Sequence, residues 1–306
     1  MNILFTGGGG AGSEAIYRLL STKHKLYFSD ANVSNINPII PSENRYSIPM
    51  ASDRNFVSDV VKLSTKLSID LLVPTVDEEL YSLSQLNSVN VMTPDTKYIS
   101  IMLDKFSCSK KLLELGLDVP ETILIKNYNS DNWTHFPCIA KPRKGRGSRD
   151  VYIIQSQDQI EAYLKITGLK GHNAVLQEKI IGQEYTVLMS SNANEDLCAI
   201  VPVKVECKRG ITINAIIEYN NSIIKACQDI HSRIPTKGCY NIQLILDENG
   251  RVFPFEINPR ISTTFCMSLA SGVDPIDVYT NNLKTHDLLP FKTGVKLNRY
   301  WSNILK

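Results

Sequence analysis

No uncharged apolar run in this 306-residue chain approaches the roughly 18–20 residues needed to span a bilayer. Charge of one sign is scarce too. Lys+Arg number 33 against 31 Asp+Glu, a net +2, so no general pull toward nucleic acid or an anionic membrane is expected. The start, Met1-Asn2-Ile3-Leu4-Phe5-Thr6, offers neither a basic n-region nor a cleavage site, and no signal peptide is expected. Seven cysteines (Cys108, Cys138, Cys198, Cys207, Cys227, Cys239, Cys266) are odd in number and scattered. Without a CxxC or Cys/His cluster they argue against a disulfide framework or structural zinc and suit reduced core positions in a cytoplasmic protein. A Ser/His/Asp or Cys/His catalytic constellation is also missing.

What remains is an ordinary globular composition, 43% apolar and 21% charged, long enough for two or three packed units. Residues 2–6 and 26–28 read as short buried strands, and 69–73 as another. Ala15, Ile16, Leu19 and Leu20 fall at helical spacing, as do Phe56, Val57, Val60, Val61, Leu63 and Leu67. Strands alternating with helices predict a parallel α/β unit over roughly the first 90 residues. A helix is expected from Asp104 to Leu115, stopped at Gly116. Strand-like runs then dominate, at 122–125, 138–141, 151–154, 175–178, 185–189, 199–205, 242–246 and 252–257. Helices are expected only at 160–166 and within 222–234, so the second unit reads as α+β.

Gly7, Gly9 and Gly12 fit G-x-G-x-x-G between a strand and a helix, with Asp30 downstream. Alone, that favours a dinucleotide, with Asp30 on a ribose hydroxyl. Yet none of the 13 tyrosines has a lysine four positions later, as a short-chain oxidoreductase requires, and a tight turn needs glycines anyway. A second glycine loop, Lys141-Pro142-Arg143-Lys144-Gly145-Arg146-Gly147-Ser148, follows an apolar strand. Its freed backbone N–H groups suit a polyphosphate above Lys141, although a solvated basic turn would read the same.

The sharpest signal lies at 241–260. Asn249-Gly250 predicts a two-residue hairpin turn, which pairs residues whose numbers sum to 499: Glu248 with Arg251, Leu246 with Phe253, Gln243 with Glu256, Asn241 with Asn258. Gln243, Glu256 and Asn258 then share one face, while Leu244, Phe255 and Ile257 share the other. Three oxygen donors so placed suit a hard cation such as Mg²⁺, with Arg260 leaving the same strand end toward a phosphoryl group. Pro254, unable to donate to the ladder, makes the strand locally irregular.

Together, the strand lysine with its glycine loop, the segment Leu176-Gln177-Glu178-Lys179-Ile180, and Gln243 with Glu256-Ile257-Asn258-Pro259-Arg260 resemble the ATP-grasp superfamily. The similarity is to members like the carbamoyl-phosphate synthase large subunit and related carboxylate–amine ligases. It implies a pre-ATP-grasp, Rossmann-like parallel α/β domain at 1–95, for which Pro74-Thr75-Val76-Asp77-Glu78-Glu79 would be the last strand and turn. A two-lobed ATP-grasp domain at 96–306 would follow, its small lobe at about 118–178 and its C-terminal lobe at about 179–306. It also implies ATP with Mg²⁺ (or Mn²⁺), small-molecule carboxylate and amine substrates, and no nucleic-acid or membrane partner; oligomeric state, a homo-oligomer included, is left open. By resemblance Lys105 and Lys141 would contact the α- and β-phosphates, and Gly145, Gly147 and Ser148 would close over them. Glu178, Lys179 and Ile180 would read the adenine edge and Glu184 the ribose. Gln243, Glu256 and Asn258 would hold the metal, and Lys141 and Arg260 would carry the catalysis. Three positions depart from the family pattern: Asp150 where a glycine usually precedes the valine, Leu188 in place of an aspartate, and Lys204 in place of an arginine. The implied activity is an ATP-dependent C–N ligase. Alternatives are an ATP-grasp phosphotransferase or carbamoyl-phosphate-synthase-like enzyme, a regulatory protein that has lost catalysis, and an NAD-dependent oxidoreductase.

Overall fold

The structure is a computed structural model that describes residues 1–131 and 133–300; the last six residues of the expected C-terminal lobe lie outside them. The front unit runs β1 (Asn2–Thr6), α1 (Ser13–Leu20), β2 (Lys25–Asp30), β3 (Arg45–Ser47), α2 (Phe56–Lys66), β4 (Leu71–Val73) and α3 (Asp77–Leu83). Its four strands form an all-parallel sheet in the order β3-β2-β1-β4. The unbroken apolar run of β1 follows from this arrangement. Ile3 and Phe5 face α1, while Leu4 faces α2 and α3, so neither side of the strand meets water.

The chain continues through α4 (Thr96–Met102) and α5 (Lys105–Glu114), which is capped by the Asp104 side chain and followed by Gly116 at φ +74. A four-stranded antiparallel sheet, β5-β8-β6-β7, is built from β5 (Thr122–Leu124), β6 (Cys138–Pro142), β7 (Tyr152–Ile154) and β8 (Ala174–Glu178), with α6 (Asp158–Thr167) between the last two in sequence. The larger sheet has the order β13-β12-β9-β10-β11-β14. It comprises β9 (Gln183–Ser191), β10 (Leu197–Arg209), β11 (Ile211–Ile217), β12 (Gly238–Leu246), β13 (Val252–Asn258) and β14 (Lys296–Asn298). Helix α7 (Asn221–Arg233) packs against it. Helices α8 (Phe265–Ala270) and α9 (Pro275–Thr280) return to the front sheet, where Phe265 and Ile276 join the core of Ile3, Phe5 and Phe28. The parallel-then-antiparallel architecture is the one expected. The pattern reading left β11 unassigned, although Ile211, Ile213, Ala215 and Ile217 alternate, because β10 extends unbroken to Arg209 and only Gly210, at φ +72, reverses the chain. Among the described residues no helix is long and apolar enough to cross a membrane, and all seven cysteines are free, six of them buried.

The β12–β13 hairpin corrects the expected turn. Leu246 pairs with Val252 rather than Phe253, and Asp247 N–H donates to Arg251 O at 3.0 Å. Arg251 therefore faces Asp247 and not Glu248: the loop has three residues, Glu248-Asn249-Gly250, with Gly250 at φ +78 and Asp247 Oδ1 accepting from Asn249 and Arg251 N–H. Nearer the site, a bulge between Gln243 and Leu244 takes up one extra residue on β13 next to Pro254, which cannot donate to the ladder. The two one-residue offsets cancel, so Gln243 pairs with Glu256 and Asn241 with Asn258 as expected. The bulge also turns Phe255 into the cleft beside Glu256, against the expected alternation, while Leu244 and Ile257 stay in the core. A Cβ at position 250 meets open space, so Gly250→Ala should cost only the left-handed backbone term, about 1 kcal/mol by urea denaturation.

Candidate functional site

A cleft of about 250 Å³ opens between the two antiparallel sheets, with α5 at its edge. Lys141, near the end of β6, is 4% exposed. Its ammonium donates to Gln177 Oε1 at 2.8 Å and lies 5.3 Å from the Phe255 ring centroid. Burial, reinforced by the neighbouring Lys105 charge, pushes its pKa down to about 8 against the pull of Glu256. Lys105 opens α5. Its backbone N–H donates to Arg143 O at 2.9 Å, and its ammonium reaches Gly145 O at 2.7 Å and Glu256 Oε2 at 3.6 Å. Burial alone would raise the Glu256 carboxyl, but the Lys105, Lys141 and Lys208 ammoniums together outweigh it and hold its pKa below the usual value. Glu256 is therefore an ionised carboxylate in a cationic cleft.

The glycine loop covers this pair. Gly145 and Gly147 have φ +133 and +70, and no protein atom lies within 4 Å of a Cβ placed on Gly147. Ser148 and Asp150 also take positive φ, 54° and 55°. Asp150, where the family resemblance implies a glycine, is thus left-handed, and aspartate is among the few side chains that tolerate that backbone. At the opposite end, Glu178 accepts from Glu121 N–H at 3.2 Å and lines the cleft with Ile180, whereas Lys179 does not line it. Glu184 pairs with Lys208 at 2.6 Å.

Of the residues singled out from sequence, Lys105, Lys141, Gly145, Gly147, Ser148, Glu178, Ile180, Glu184, Gln243 and Glu256 line this cleft. Asn258 and Arg260 line the adjoining chamber, which shares Gln243 and Glu256 with the cleft. Asn258 donates its amide N–H to Asn241 Oδ1 at 3.2 Å, which leaves its carbonyl oxygen as the free end. One ionised carboxylate and two amide oxygens on paired strands fit a hard divalent cation. Lys208 Nζ stands 3.5 Å from Gln243 Oε1, so positive charge already gathers at this face. Arg260 pairs through Nε with Asp77 at the start of α3, both side chains 12% exposed, and donates Nη1 to Ile261 O at 2.9 Å.

The pattern reading missed several contributors. Lys208, on the far end of β10, faces the cleft, while Lys204 turns away to Glu218 at 3.3 Å. Gln177 and Phe255 hold Lys141, and Asp77 holds Arg260; each contact joins distant segments and leaves no local signal. Leu188 is simply a core residue. The front glycine run is spent on packing. Asp30 accepts from Gly9 N–H at 2.9 Å instead of facing outward, and Cβ atoms at Gly8 and Gly9 would meet Phe28 and Asn35 at 2.9 and 2.7 Å. Gly12 lies against the Thr263 backbone, 3.2 Å from a built Cβ.

Comparison with known proteins adds to this geometry. Residues 102–264 match the family model of the ATP-grasp domain. The carbamoyl phosphate synthase large chain of Thermomicrobium roseum is 23% identical over 79% of this chain and 24% of its own length. The D-alanine–D-alanine ligase of Aquifex aeolicus is 22% identical over 60% of this chain and 67% of its own. The chain thus spans 24% and 19% of the length of two synthase large chains that it matches. Among solved structures, N5-carboxyaminoimidazole synthetase from Staphylococcus aureus superposes with a TM-score of 0.64 at 15% identity, covering 88% of this chain and 73% of that one. An L-amino acid ligase from Bacillus licheniformis gives 0.70 at 16% identity, covering 92% and 73%.

Proposed function

We propose, since this chain belongs to the ATP-grasp family, that it is an ATP-dependent ligase joining a carboxylate to an amine. The observation that carries this reading is one cleft in which Lys141, Lys105 and a glycine loop with positive-φ backbone face Gln243 and Glu256. In the reaction a carboxylate oxygen attacks the γ-phosphorus, the bond from phosphorus to the β,γ-bridging oxygen breaks, and ADP leaves. The amine lone pair then attacks the acyl carbon of the acyl phosphate, the carbon–oxygen bond to phosphate breaks, and the amine's proton passes to solvent.

Each residue has a part in this scheme. Lys105 and Lys141 offset the charge of the α- and β-phosphates, and Gly145, Gly147 and Ser148 close over them and exclude water from a hydrolysable intermediate. Glu178 with the backbone of Lys179 and Ile180 meets the adenine edge, and Glu184 the ribose. Gln243, Glu256 and Asn258 would hold Mg²⁺ or Mn²⁺, which would supply positive charge against the charge that develops during phosphoryl transfer. Arg260 stabilises the phosphoryl group in flight; among the described residues Asp77 and Ile261 take its Nε and Nη1, and Nη2 has no partner. The division at residues 95 and 178 and a cytoplasmic setting, which free cysteines support, belong to the same reading, as do small-molecule partners.

The test is Mg²⁺-dependent ADP release across carboxylates, with hydroxylamine trapping the activated acid as a hydroxamate. Acid-independent ADP release, or none, would count against it. Trapping with hydroxylamine but with no amine would favour the second reading, a phosphotransferase that stops at the acyl phosphate. Asp77 acts as a positioning residue for Arg260. Asp77→Asn should lower kcat about tenfold with nucleotide affinity unchanged, and Asp77→Glu should restore part of it; a parallel loss of ATP binding would show a merely structural role.

A further inference from the structure

Beyond the metal face the cleft continues into a chamber of about 100 Å³ whose wall differs in kind. The nucleotide cleft is walled by Ile139, Val151, Ile180, Ile245 and Phe255. In the chamber Ile211 is the only large apolar residue among the lining ones, which otherwise include five hydroxyl side chains and the cations Arg146, Lys208 and Arg260. Ser262 and Thr264 bond to each other at 2.6 Å. Thr186, Thr212 and Thr263 also line the chamber, and among the described residues their hydroxyls have no hydrogen-bond partner. Thr186 and Thr212 are only 5% and 6% exposed. Other unpartnered hydroxyls, such as those of Ser64 and Ser190, are sealed in the core; these open onto a cavity.

Their placement is determined by the fold. Thr186 stands opposite Gln243 across β9 and β12, and Thr212 opposite Lys208 across β10 and β11. Arg299 fixes the third. Its guanidinium donates to Thr212 O at 2.9 Å, to Thr263 O, and to Ala11 O at 2.5 Å. One side chain thus sets the spacing of two threonines and ties both to the front glycine turn, whose Gly12 lies against Thr263. Arg260 lines the end of the chamber that holds Gln243, Glu256 and Asn258.

We infer that the acid activated here is small and bears a hydroxyl or amino group near its carboxylate, which Thr186, Thr212 and Thr263 bind while Arg260 faces the carboxylate. The inference rests on the ligase reading and narrows its substrate class. The physical reason is asymmetric cost. An unsubstituted alkyl or aryl acid leaves desolvated hydroxyls unpaired, whereas a polar substituent completes them. A hydroxyl donates and accepts, so it serves either a hydroxy or an amino substituent.

The experiment measures ADP release and hydroxamate formation with Mg²⁺-ATP and hydroxylamine for matched acids of two to five carbons: unsubstituted, hydroxy and amino forms of each skeleton, with benzoate as an aryl control. The substituted acids should exceed their unsubstituted partners in kcat/KM by about a hundredfold. Thr212→Val and Thr186→Val should each cut that ratio about tenfold, with ATP affinity unchanged as the check that each variant folds. Equal or better turnover of the alkyl or aryl acids overturns the inference and leaves the ligase reading standing, as does a ratio that neither valine variant alters. No ADP release with any acid, in protein that still binds ATP, overturns the ligase reading and this inference with it.

Discussion

Glu256→Gln should lower Mg²⁺-dependent ADP release about a thousandfold while leaving metal-free nucleotide binding within a few-fold of wild type. The size follows from removing the only carboxylate of the Gln243–Glu256–Asn258 face, where a preorganised charge acts on developing phosphoryl charge; single groups of this kind are worth roughly 100- to 1000-fold. The substitution keeps the shape of the side chain and removes a charge held beside Lys105 at 3.6 Å. Metal-free binding separates this from a fold defect, because the nucleotide would still meet Lys105, Lys141 and the glycine loop. Turnover at the wild-type rate would remove Glu256 from the site.

Lys141→Ala should weaken nucleotide affinity about a hundredfold, the upper end of what a charge-assisted hydrogen bond contributes, about 1.5–3 kcal/mol. The same lysine predicts a pH dependence. In the free protein its pKa is lowered to about 8, whereas in the unfolded chain it keeps its ordinary value of 10.5. Between those values the unfolded state holds the extra proton, so this group's contribution to stability rises with pH from about 8 to about 10.5; below 8 it is a constant cost. Nucleotide affinity moves the other way. Phosphate favours the ammonium, so binding should weaken as pH rises through about 8, with proton uptake on binding above that value. Calorimetry in buffers of different ionisation enthalpy measures the uptake, and Lys141→Arg should abolish the pH step. A wild-type affinity flat from pH 7 to 9.5 would contradict the buried-lysine account.

The hairpin shows how far a pattern can be trusted. The pairing of Gln243 with Glu256 was legible, yet the turn that predicted it has a different length. Asp247 accepts from two backbone N–H groups and so stabilises a three-residue loop, and the bulge beside Pro254 restores the register that the loop displaced. That bulge brings Phe255 under Lys141, a contact that strict alternation forbids. Asp150 makes the opposite point. Its residue type departs from related loops, but its backbone keeps the left-handed conformation that glycine provides. Asp30 stands at the sequence distance of a ribose carboxylate and closes its own glycine turn by accepting from Gly9 N–H.

Read alone, the sequence determined the periodic elements, the parallel-then-antiparallel order and ten of the residues that line the cleft, because strand alternation, turn chemistry and short motifs are local properties. Tertiary structure decided which cations face inward: Lys208 and not Lys204, and Arg260 held by an aspartate 183 positions away. It also decided that Gly8, Gly9 and Gly12 pack against Phe28, Asn35 and Thr263, and that three threonines from three segments share one chamber. Those outcomes depend on sheet curvature and on the docking of α8 and α9 beneath the front sheet, where contacts between distant segments are set by packing the whole core and leave no periodic trace along the chain.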